Sequence, residues 1–330
     1  MTETAPRVEV ASRTPFDFRL ALRYFRRRLG ELVDATDGDA YRRLLLIDGS
    51  HALVQVRAAD EPRVPGVSVE LLAGDAASLP AAAGAILHAL GLDDDLDQMH
   101  SAFRNDAVLT SLFRRLRGLR LVKTQSAFEA LVWAIIGQQI NLTFAFRLKS
   151  ALVQNVGESL LFGGRTYWAF PQPERLAGAD EASLAVTGLG RRKAATLVSI
   201  ARAVAKGQLD LEALATIDRG EAVARLIAIP GVGPWTAHYT LLRGLGDFGA
   251  FPASDLGLRM AAGRLYCAGE PASLSRMRQL AEEWDDWRGY VAFYLWNSPA
   301  EHATSSPTLR PKAPPGAAAP ARSSLCCRDR

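Results

Sequence analysis

Strand-like and turn-like patterns dominate the first part of the chain after its opening residues. Two apolar runs, 44–47 and 52–57, bracket the dipeptide Asp48-Gly49. An Asp-Gly pair between such runs predicts a β-hairpin, because both residues tolerate the positive φ that a tight turn requires. A third, partly alternating run at 67–72 predicts another strand.

Helical spacing flanks these strands. Phe16, Leu20 and Tyr24 recur four residues apart, as on one face of a helix. An alanine-rich stretch over 79–90 predicts a second helix that ends at Gly91, since glycine readily takes the left-handed conformation after a last turn. The first segment is therefore predicted to be α+β.

Strand signals stop after Gly91, and the rest of the chain is predicted to be helices joined by short turns. The acidic run 93–95 predicts the start of one helix carrying Met99, Phe103 and the stretch 113–116. From about Ala303 the composition turns to Ser, Pro and Ala with scattered Arg, which is typical of disorder.

Ser126 and Glu129 form a capping-box pattern that predicts a helix running to about Gly137. The polar residues 138–141 then interrupt the apolar run before another predicted helix, 142–156. A polar break between two helices predicts a loop, either a solvated connection or one that faces a ligand.

The stretch 227–239, Ile-Ala-Ile-Pro-Gly-Val-Gly-Pro-Trp-Thr-Ala-His-Tyr, predicts two helices joined by a glycine hairpin. Gly231 and Gly233 suit positive φ and close approach of a ligand, and Pro234 suits the first position of a helix. Free backbone N–H groups at such a turn would bind a phosphate oxygen without any side-chain charge.

A weaker copy of this pattern occurs earlier, in Gly188-Leu-Gly-Arg-Arg-Lys-Ala194. It has the same glycine spacing but lacks the proline before the first glycine. We interpret it as a degenerate second hairpin that is mainly structural, and its cationic residues are candidate phosphate contacts: Arg191, Arg192 and Lys193.

Composition indicates a chain that can bury a large core, with 330 residues, 48% hydrophobic residues and a mean hydropathy of +0.02. The net charge of +4 is mild, but the cations are bunched, which suits a polyanionic partner. Three cysteines give no disulfide framework or zinc spacing. We see neither a signal-peptide pattern nor a membrane-length apolar run, so we expect a cytoplasmic protein, nucleoid-associated if the source is bacterial.

Residues 229–233, the pair Thr236-Ala237 and the downstream Asp255 resemble the signature of the helix-hairpin-helix base-excision DNA glycosylases, and specifically the 3-methyladenine DNA glycosylase II type. Bifunctional members of that family carry a Schiff-base lysine just before the Thr-Ala pair, where this chain has Trp235. The resemblance therefore implies a monofunctional enzyme that hydrolyses the glycosidic bond of alkylated purines and leaves an abasic site.

The same resemblance implies a set of site residues. Asp255 would be catalytic, stabilising positive charge on the sugar, and Ser254 before it is predicted to cap its helix. Gln139 would fill the gap left by the flipped base. The base pocket would be aromatic, formed by Trp235, Tyr239, Trp287 and Tyr24. The hairpin would grip the DNA backbone through Pro230, Gly231, Val232, Gly233 and Thr236.

The implied organisation is a disordered tail at 1–13, a TATA-binding-protein-like α+β domain at 14–120, an all-α glycosylase body with two helical subdomains at 121–302, and a disordered tail at 303–330. The expected partner is double-stranded DNA with damaged bases, bound by a monomer. No organic cofactor is expected, although hairpin carbonyls of this family often hold a monovalent cation.

Two alternatives stay open at this point. One is a glycosylase for deaminated, etheno or mismatched bases, since pocket shape decides the lesion. The other is a non-catalytic DNA-binding module, because helix-hairpin-helix elements also serve only as phosphate grips. Asp255 and the aromatic residues favour an enzyme, since a grip requires none of them.

Overall fold

An antiparallel sheet forms one layer of the first domain in the computed structural model, which describes residues 5–26, 30–60 and 65–298. Its strand order is β1-β5-β4-β3-β2. The strands are β1 (Arg7–Ala11), β2 (Ala35–Asp37), β3 (Ala40–Ile47), β4 (Ser50–Ala58) and β5 (Gly66–Ala73).

The predicted hairpin is confirmed. Asp48 and Gly49 join β3 to β4 with φ values of 49° and 75°, and Ile47 pairs with Ser50 across the turn. Two positive φ values match the right-handed twist of the flanking strands, which is why Asp-Gly is favoured here.

Two helices pack on the sheet, α1 (Phe18–Arg26) and α2 (Leu79–Leu90). Gly91 ends α2 with a φ of 58°, as predicted. The expectation of a disordered tail at 1–13 is wrong for Arg7–Ala11, which forms β1 and pairs antiparallel with β5. Residues 1–4, and all of the predicted tail at 303–330, lie outside the described residues.

The predicted single helix after Gly91 is two helices, α3 (Leu96–Ala102) and α4 (Ala107–Arg115). Asp95 caps the first and Asp106 caps the second, where its Oδ1 accepts from the N–H groups of Val108 and Leu109. The second cap lies in an irregular Arg104-Asn105-Asp106 segment, which breaks the helical run.

The second domain is a helical body with one added hairpin. Its helices are α5 (Ala127–Gly137), α6 (Leu142–Val156), α7 (Pro173–Ala177), α8 (Glu181–Leu184), α9 (Arg191–Ala205), α10 (Arg219–Ile227), α11 (Pro234–Thr240), α12 (Leu256–Tyr266), α13 (Leu274–Glu283) and α14 (Arg288–Asn297). Ser126 caps α5 through its hydroxyl, which accepts from the N–H of Glu129, as the capping-box pattern predicted.

The predicted helical body is confirmed, with one addition that the sequence analysis did not predict, the hairpin formed by β6 (Ser159–Phe162) and β7 (Arg165–Trp168). Gly163 and Gly164 join them with positive φ, so the Gly-Gly pair was a usable turn signal. The hairpin packs on the face of the five-stranded sheet, and Arg42 donates to the hydroxyl of Tyr167 at 2.8 Å. It therefore ties the two domains together.

A buried ion network also joins the domains. Arg43 of β3 donates to Oδ1 of Asp34 at 2.7 Å and to Oε2 of Glu129 on α5 at 2.5 Å. The hydroxyl of Tyr41 donates to the same oxygen of Asp34. Because all of these side chains are buried, the network fixes the sheet against the helix that leads to Gln138.

Candidate active site

The hairpin predicted from the sequence lies between α10 and α11. Gly231 has a φ of 89°, whereas Gly233 is extended at −102° and caps α11, so only the first glycine requires a left-handed backbone. Pro234 is the first residue of α11, as predicted. A Cβ on Gly231 would also lie 3.1 Å from the side chain of Thr196, so the turn packs closely on α9.

The hairpin residues divide into exposed and buried groups. Pro230 and Gly231 are exposed, so their backbone is open to a large ligand. Val232 and Thr236 are buried, at 6% and 2% exposure. Thr236 accepts a hydrogen bond from Nε2 of Gln138 at 2.9 Å, so its side chain contacts protein. Thr236 therefore does not present its side chain to a ligand, unlike the contact predicted for it.

Asp255 is itself the N-cap of α12, so the prediction that Ser254 caps this helix is wrong. Its Oδ1 accepts from the N–H of Leu258 at 2.7 Å. The carboxylate therefore lies at the N-cap, at the positive end of the helix dipole, rather than in the first turn of the helix.

Two indole N–H groups complete the surroundings of this carboxylate. Trp296 donates to Oδ1 at 2.9 Å and Trp235 donates to Oδ2 at 3.1 Å. With the Leu258 N–H, three donors converge on a half-buried carboxylate that acts only as an acceptor. Its orientation is thereby fixed, which suits a group that must stabilise charge developing beside it.

An aromatic wall extends from Asp255. Trp235 and Tyr239, one turn apart on α11, are stacked with ring centroids 5.4 Å apart, and Trp296 lies 6.1 Å from Tyr239. Trp133 of α5 donates its indole N–H to the hydroxyl of Tyr239 at 2.9 Å. The predicted pair Trp235 and Tyr239 is therefore brought together beside Asp255.

Trp287 is not brought to this group. Its ring contacts are with Phe248, stacked at 5.5 Å, and with Tyr290. Trp287 comes just before α14, whereas Trp296 lies in the last turn of that helix, and the two indoles have different neighbours. In the structure the second tryptophan near Asp255 is Trp296 and not the predicted Trp287. No local sequence signal distinguishes the two tryptophans.

Tyr24 lies one layer behind the wall. Its ring is 5.5 Å from Phe293, and the guanidinium of Arg243 lies 5.4 Å from it. The same guanidinium lies 5.7 Å from the ring of Tyr239 and bonds its hydroxyl at 3.4 Å. Tyr24 therefore contacts the wall through Arg243. The sequence analysis missed Arg243, which is buried by the packing of both domains.

The loop that follows α5 presents Gln139. This residue is exposed and has a φ of 58°, an unusual value for a residue with a side chain. Its neighbour Gln138 donates through Nε2 to the carbonyl of Gly231 at 3.0 Å and to Thr236. The predicted plug loop is thus bonded directly to the hairpin.

The second glycine pattern is also a turn between helices. Gly188 and Gly190 have φ values of 104° and 75°, and α9 starts at Arg191. Arg191 and Arg192 are exposed. Lys193 was predicted to contact a phosphate, but its Nζ instead donates to the carbonyls of Ile136 and Gln138, each at 2.8 Å.

Comparison with known proteins agrees with this geometry. Residues 7–126 match the AlkA N-terminal domain, and residues 132–286 match the HhH-GPD superfamily base excision DNA repair proteins. The chain belongs to this helix-hairpin-helix superfamily of base excision DNA repair proteins.

Within it, the chain is similar to proteins named DNA-3-methyladenine glycosylase. It is 37% identical over 205 residues to that of Bacillus subtilis, covering 62% of this chain and 68% of the relative. It is 33% identical to DNA-3-methyladenine glycosylase 2 of Escherichia coli, covering 54% and 60%. About a third or more of each relative lies outside the matched region.

Solved structures extend the likeness to both domains. The 3-methyladenine DNA glycosylase from Archaeoglobus fulgidus has a TM-score of 0.76 at 28% identity, covering 88% of this chain and 97% of that chain. An 8-oxoguanine glycosylase/lyase from Clostridium acetobutylicum, at 20% identity and a TM-score of 0.68, shares the fold alone. Through residues 5–26, 30–60 and 65–298, no helix is long and apolar enough to cross a membrane.

Proposed function

We propose that this protein is a monofunctional DNA glycosylase that flips an alkylated purine out of the duplex and hydrolyses its N-glycosidic bond. The observation that carries the proposal is the Asp255 carboxylate, held by Trp235, Trp296 and Leu258 at the edge of a stacked aromatic wall. The named 3-methyladenine glycosylases among its relatives support this substrate class.

The glycine hairpin supplies a sequence-independent grip on the DNA backbone. Exposed backbone at Pro230 and Gly231 precedes the N-terminus of α11, where free N–H groups attract a phosphate oxygen. Such contacts position the duplex and read no bases. This suits an enzyme that must find a lesion in any sequence.

The aromatic wall would receive the flipped base. Alkylation at N3 or N7 gives a purine a positive charge, and a cation is attracted to the faces of indole and phenol rings. Trp235, Tyr239 and Trp296 present such rings next to Asp255. Stacking would therefore hold the damaged base with its glycosidic bond near the carboxylate.

Asp255 would act on the sugar. Breaking the bond between C1′ and the base nitrogen moves the bonding electrons to the base and leaves positive charge on the sugar. A fixed carboxylate stabilises that charge and accepts a proton from the attacking water, whose oxygen then bonds to C1′. An alkylated base leaves readily, so no strong general acid is required.

A lyase step would need an amine that attacks C1′. Trp235 occupies the position where the resemblance places a Schiff-base lysine. Among the described lysines, Lys193 bonds two carbonyls, Lys123 pairs with Asp94 and Lys149 pairs with Glu31. The fourth, Lys206, is exposed just past the end of α9. We therefore propose hydrolysis without strand cleavage, which predicts that borohydride traps no covalent complex with abasic-site DNA.

We also propose that the hairpin turn can hold a monovalent cation through backbone carbonyls. The residues fit in chemical type. The carbonyl oxygen of Gly231 accepts one hydrogen bond, from Gln138, and its second lone pair is left for a cation. Within the described part of the chain, no cluster of three or more His, Cys, Asp or Glu side chains could hold a metal ion. Binding of the alkylated duplex in potassium and in tetramethylammonium buffers at equal ionic strength tests this proposal.

The deciding experiment measures free methylated bases released from alkylated duplex DNA. Wild type should release 3-methyladenine, and Asp255→Asn should bind the same DNA but release almost none. Release of deaminated or etheno bases instead would reassign the lesion. Binding with no release from any lesion would favour a non-catalytic DNA-binding module.

A further inference from the structure

Two side chains join three segments that are expected to face DNA, and the proposed reaction uses neither of them. Lys193, on the first turn of α9 after the second glycine turn, reaches the end of α5 and bonds the carbonyls of Ile136 and Gln138, each at 2.8 Å. These carbonyls have no partner within α5, because a helix leaves its last C=O groups unsatisfied. A cation is the favoured partner at this negative end of the helix dipole.

Gln138 continues the connection to the first hairpin. Its backbone carbonyl binds Lys193, while its side-chain amide donates to the carbonyl of Gly231 and the hydroxyl of Thr236. The second glycine turn, the loop after α5 and the first hairpin are therefore joined through two side chains.

The residue held by these bonds is Gln139. It is exposed and has a φ of 58°, a conformation that a non-glycine residue adopts at a cost. Neighbouring contacts must therefore maintain it. The contacts on its N-terminal side are those of Lys193 and Gln138.

We propose that Lys193 is a positioning residue that fixes the loop carrying Gln139 in the shape needed to open a base pair, which rests on the proposed glycosylase function. It differs from a phosphate contact, because two of the three N–H groups of its ammonium donate to protein carbonyls. Burial also lowers the pKa of Lys193, which agrees with a group turned away from water.

The test compares Lys193→Met with Lys206→Met. Lys206 is an exposed residue just past the other end of the same helix, so its change removes the same charge without touching the loop. Single-turnover release is measured on a lesion in a fully paired duplex and on the same lesion in a single-stranded bubble. Only the duplex requires a base pair to be opened.

Lys193→Met should slow release from the duplex by about tenfold to a hundredfold, because the loop that helps to open the base pair is no longer held in shape. Release from the bubble should stay within about threefold of wild type, since that substrate has no pair to open. Lys206→Met should leave both rates unchanged. Lys193→Arg keeps the donors and should recover part of the duplex rate.

A second readout is independent of chemistry. A duplex carrying a stable abasic analogue, with 2-aminopurine opposite it, gains fluorescence when a side chain enters the gap and unstacks the probe. Wild type should raise the fluorescence and Lys193→Met should raise it less at saturating protein.

Two outcomes would overturn the proposal. Equal losses on duplex and bubble would show a general structural role. If Lys193→Met gives the same fluorescence as wild type, and the slope of its binding affinity against salt falls by the amount expected for about one phosphate contact, then Lys193 binds DNA instead. If wild type releases no base, the proposed function fails, but the fluorescence comparison still decides the role of Lys193.

Discussion

The indole N–H of Trp296 donates to Oδ1 of Asp255 at 2.9 Å across 41 positions of sequence. The contact joins the last turn of α14 to the cap of α12, so an aromatic residue of the wall also orients the candidate catalytic group.

Replacing Asp255 by Asn should lower base release by at least about a hundredfold, because the charge that stabilises the sugar cation is lost. The amide keeps one oxygen, which can still accept from Leu258, so α12 should remain capped. Single-turnover release and DNA binding should be measured on the same preparation. Retention of most activity would contradict the catalytic role.

Trp296→Phe and Trp287→Phe form a matched pair, one inside α14 and one just before it. The first removes a hydrogen bond to a charged group and should slow release by about tenfold. The second removes packing against Phe248 away from Asp255, so it should lower the melting temperature with little change in release. The opposite order would restore Trp287 to the base pocket.

Gln139→Gly should separate stability from activity. Glycine relieves the cost of the positive φ but gains freedom in the unfolded chain, so the free energy of unfolding should stay within about 1 kcal/mol of wild type. Release from paired duplex should fall, because nothing fills the gap left by the flipped base. Chemical denaturation and single-turnover release measure the two quantities, and full activity would remove Gln139 from the plug position.

Arg43→Met should destabilise the protein by about 3–5 kcal/mol, because it leaves the carboxylates of Asp34 and Glu129 buried without their cation. The double variant Arg43→Met with Glu129→Gln should lose less than the sum of the single changes, since the second change removes one stranded charge. Denaturant unfolding gives all three values. Strict additivity would show that the ion pairs contribute no coupling.

Stability should fall on acidification in a way that depends on His238. Burial, then the charge of Arg288, lowers the pKa of this histidine below its usual 6.5. Its Nδ1 accepts the N–H of Phe251 at 3.3 Å, a bond that requires the neutral ring. Below pH 6.5 the unfolded chain binds a proton that the folded chain excludes, so the free energy of unfolding decreases as pH falls toward the folded pKa.

His238→Asn keeps an acceptor near the position of Nδ1 and removes the titration. The variant should therefore show a shallower loss of melting temperature than wild type between about pH 7 and about pH 5. Parallel curves would assign the acid sensitivity to other groups, including His88 and His100, whose pKa values burial also lowers.

Local patterns in the sequence determined those turns and helix ends that depend only on neighbouring residues. Asp48-Gly49 set the turn between β3 and β4, Gly91 ended α2, and Ser126 capped α5, because each acts through its own backbone and that of its neighbours. The glycine hairpin was found in the same way, whereas Asp255 was singled out by the family resemblance. The error at Ser254 was also local, because two neighbouring residues compete as the cap. The error at β1 was not, because that strand depends on its pairing with the distant β5.

Only the tertiary structure decided which distant side chains meet. Trp287 and Trp296 are alike in sequence, and the packing of α14 against α12 selects the second for Asp255. In the sequence Lys193 is one of three neighbouring cations. In the structure it lies at the end of α5 and donates hydrogen bonds to the loop that follows. Burial and partner choice depend on how whole helices pack, and a short window of sequence does not contain that information.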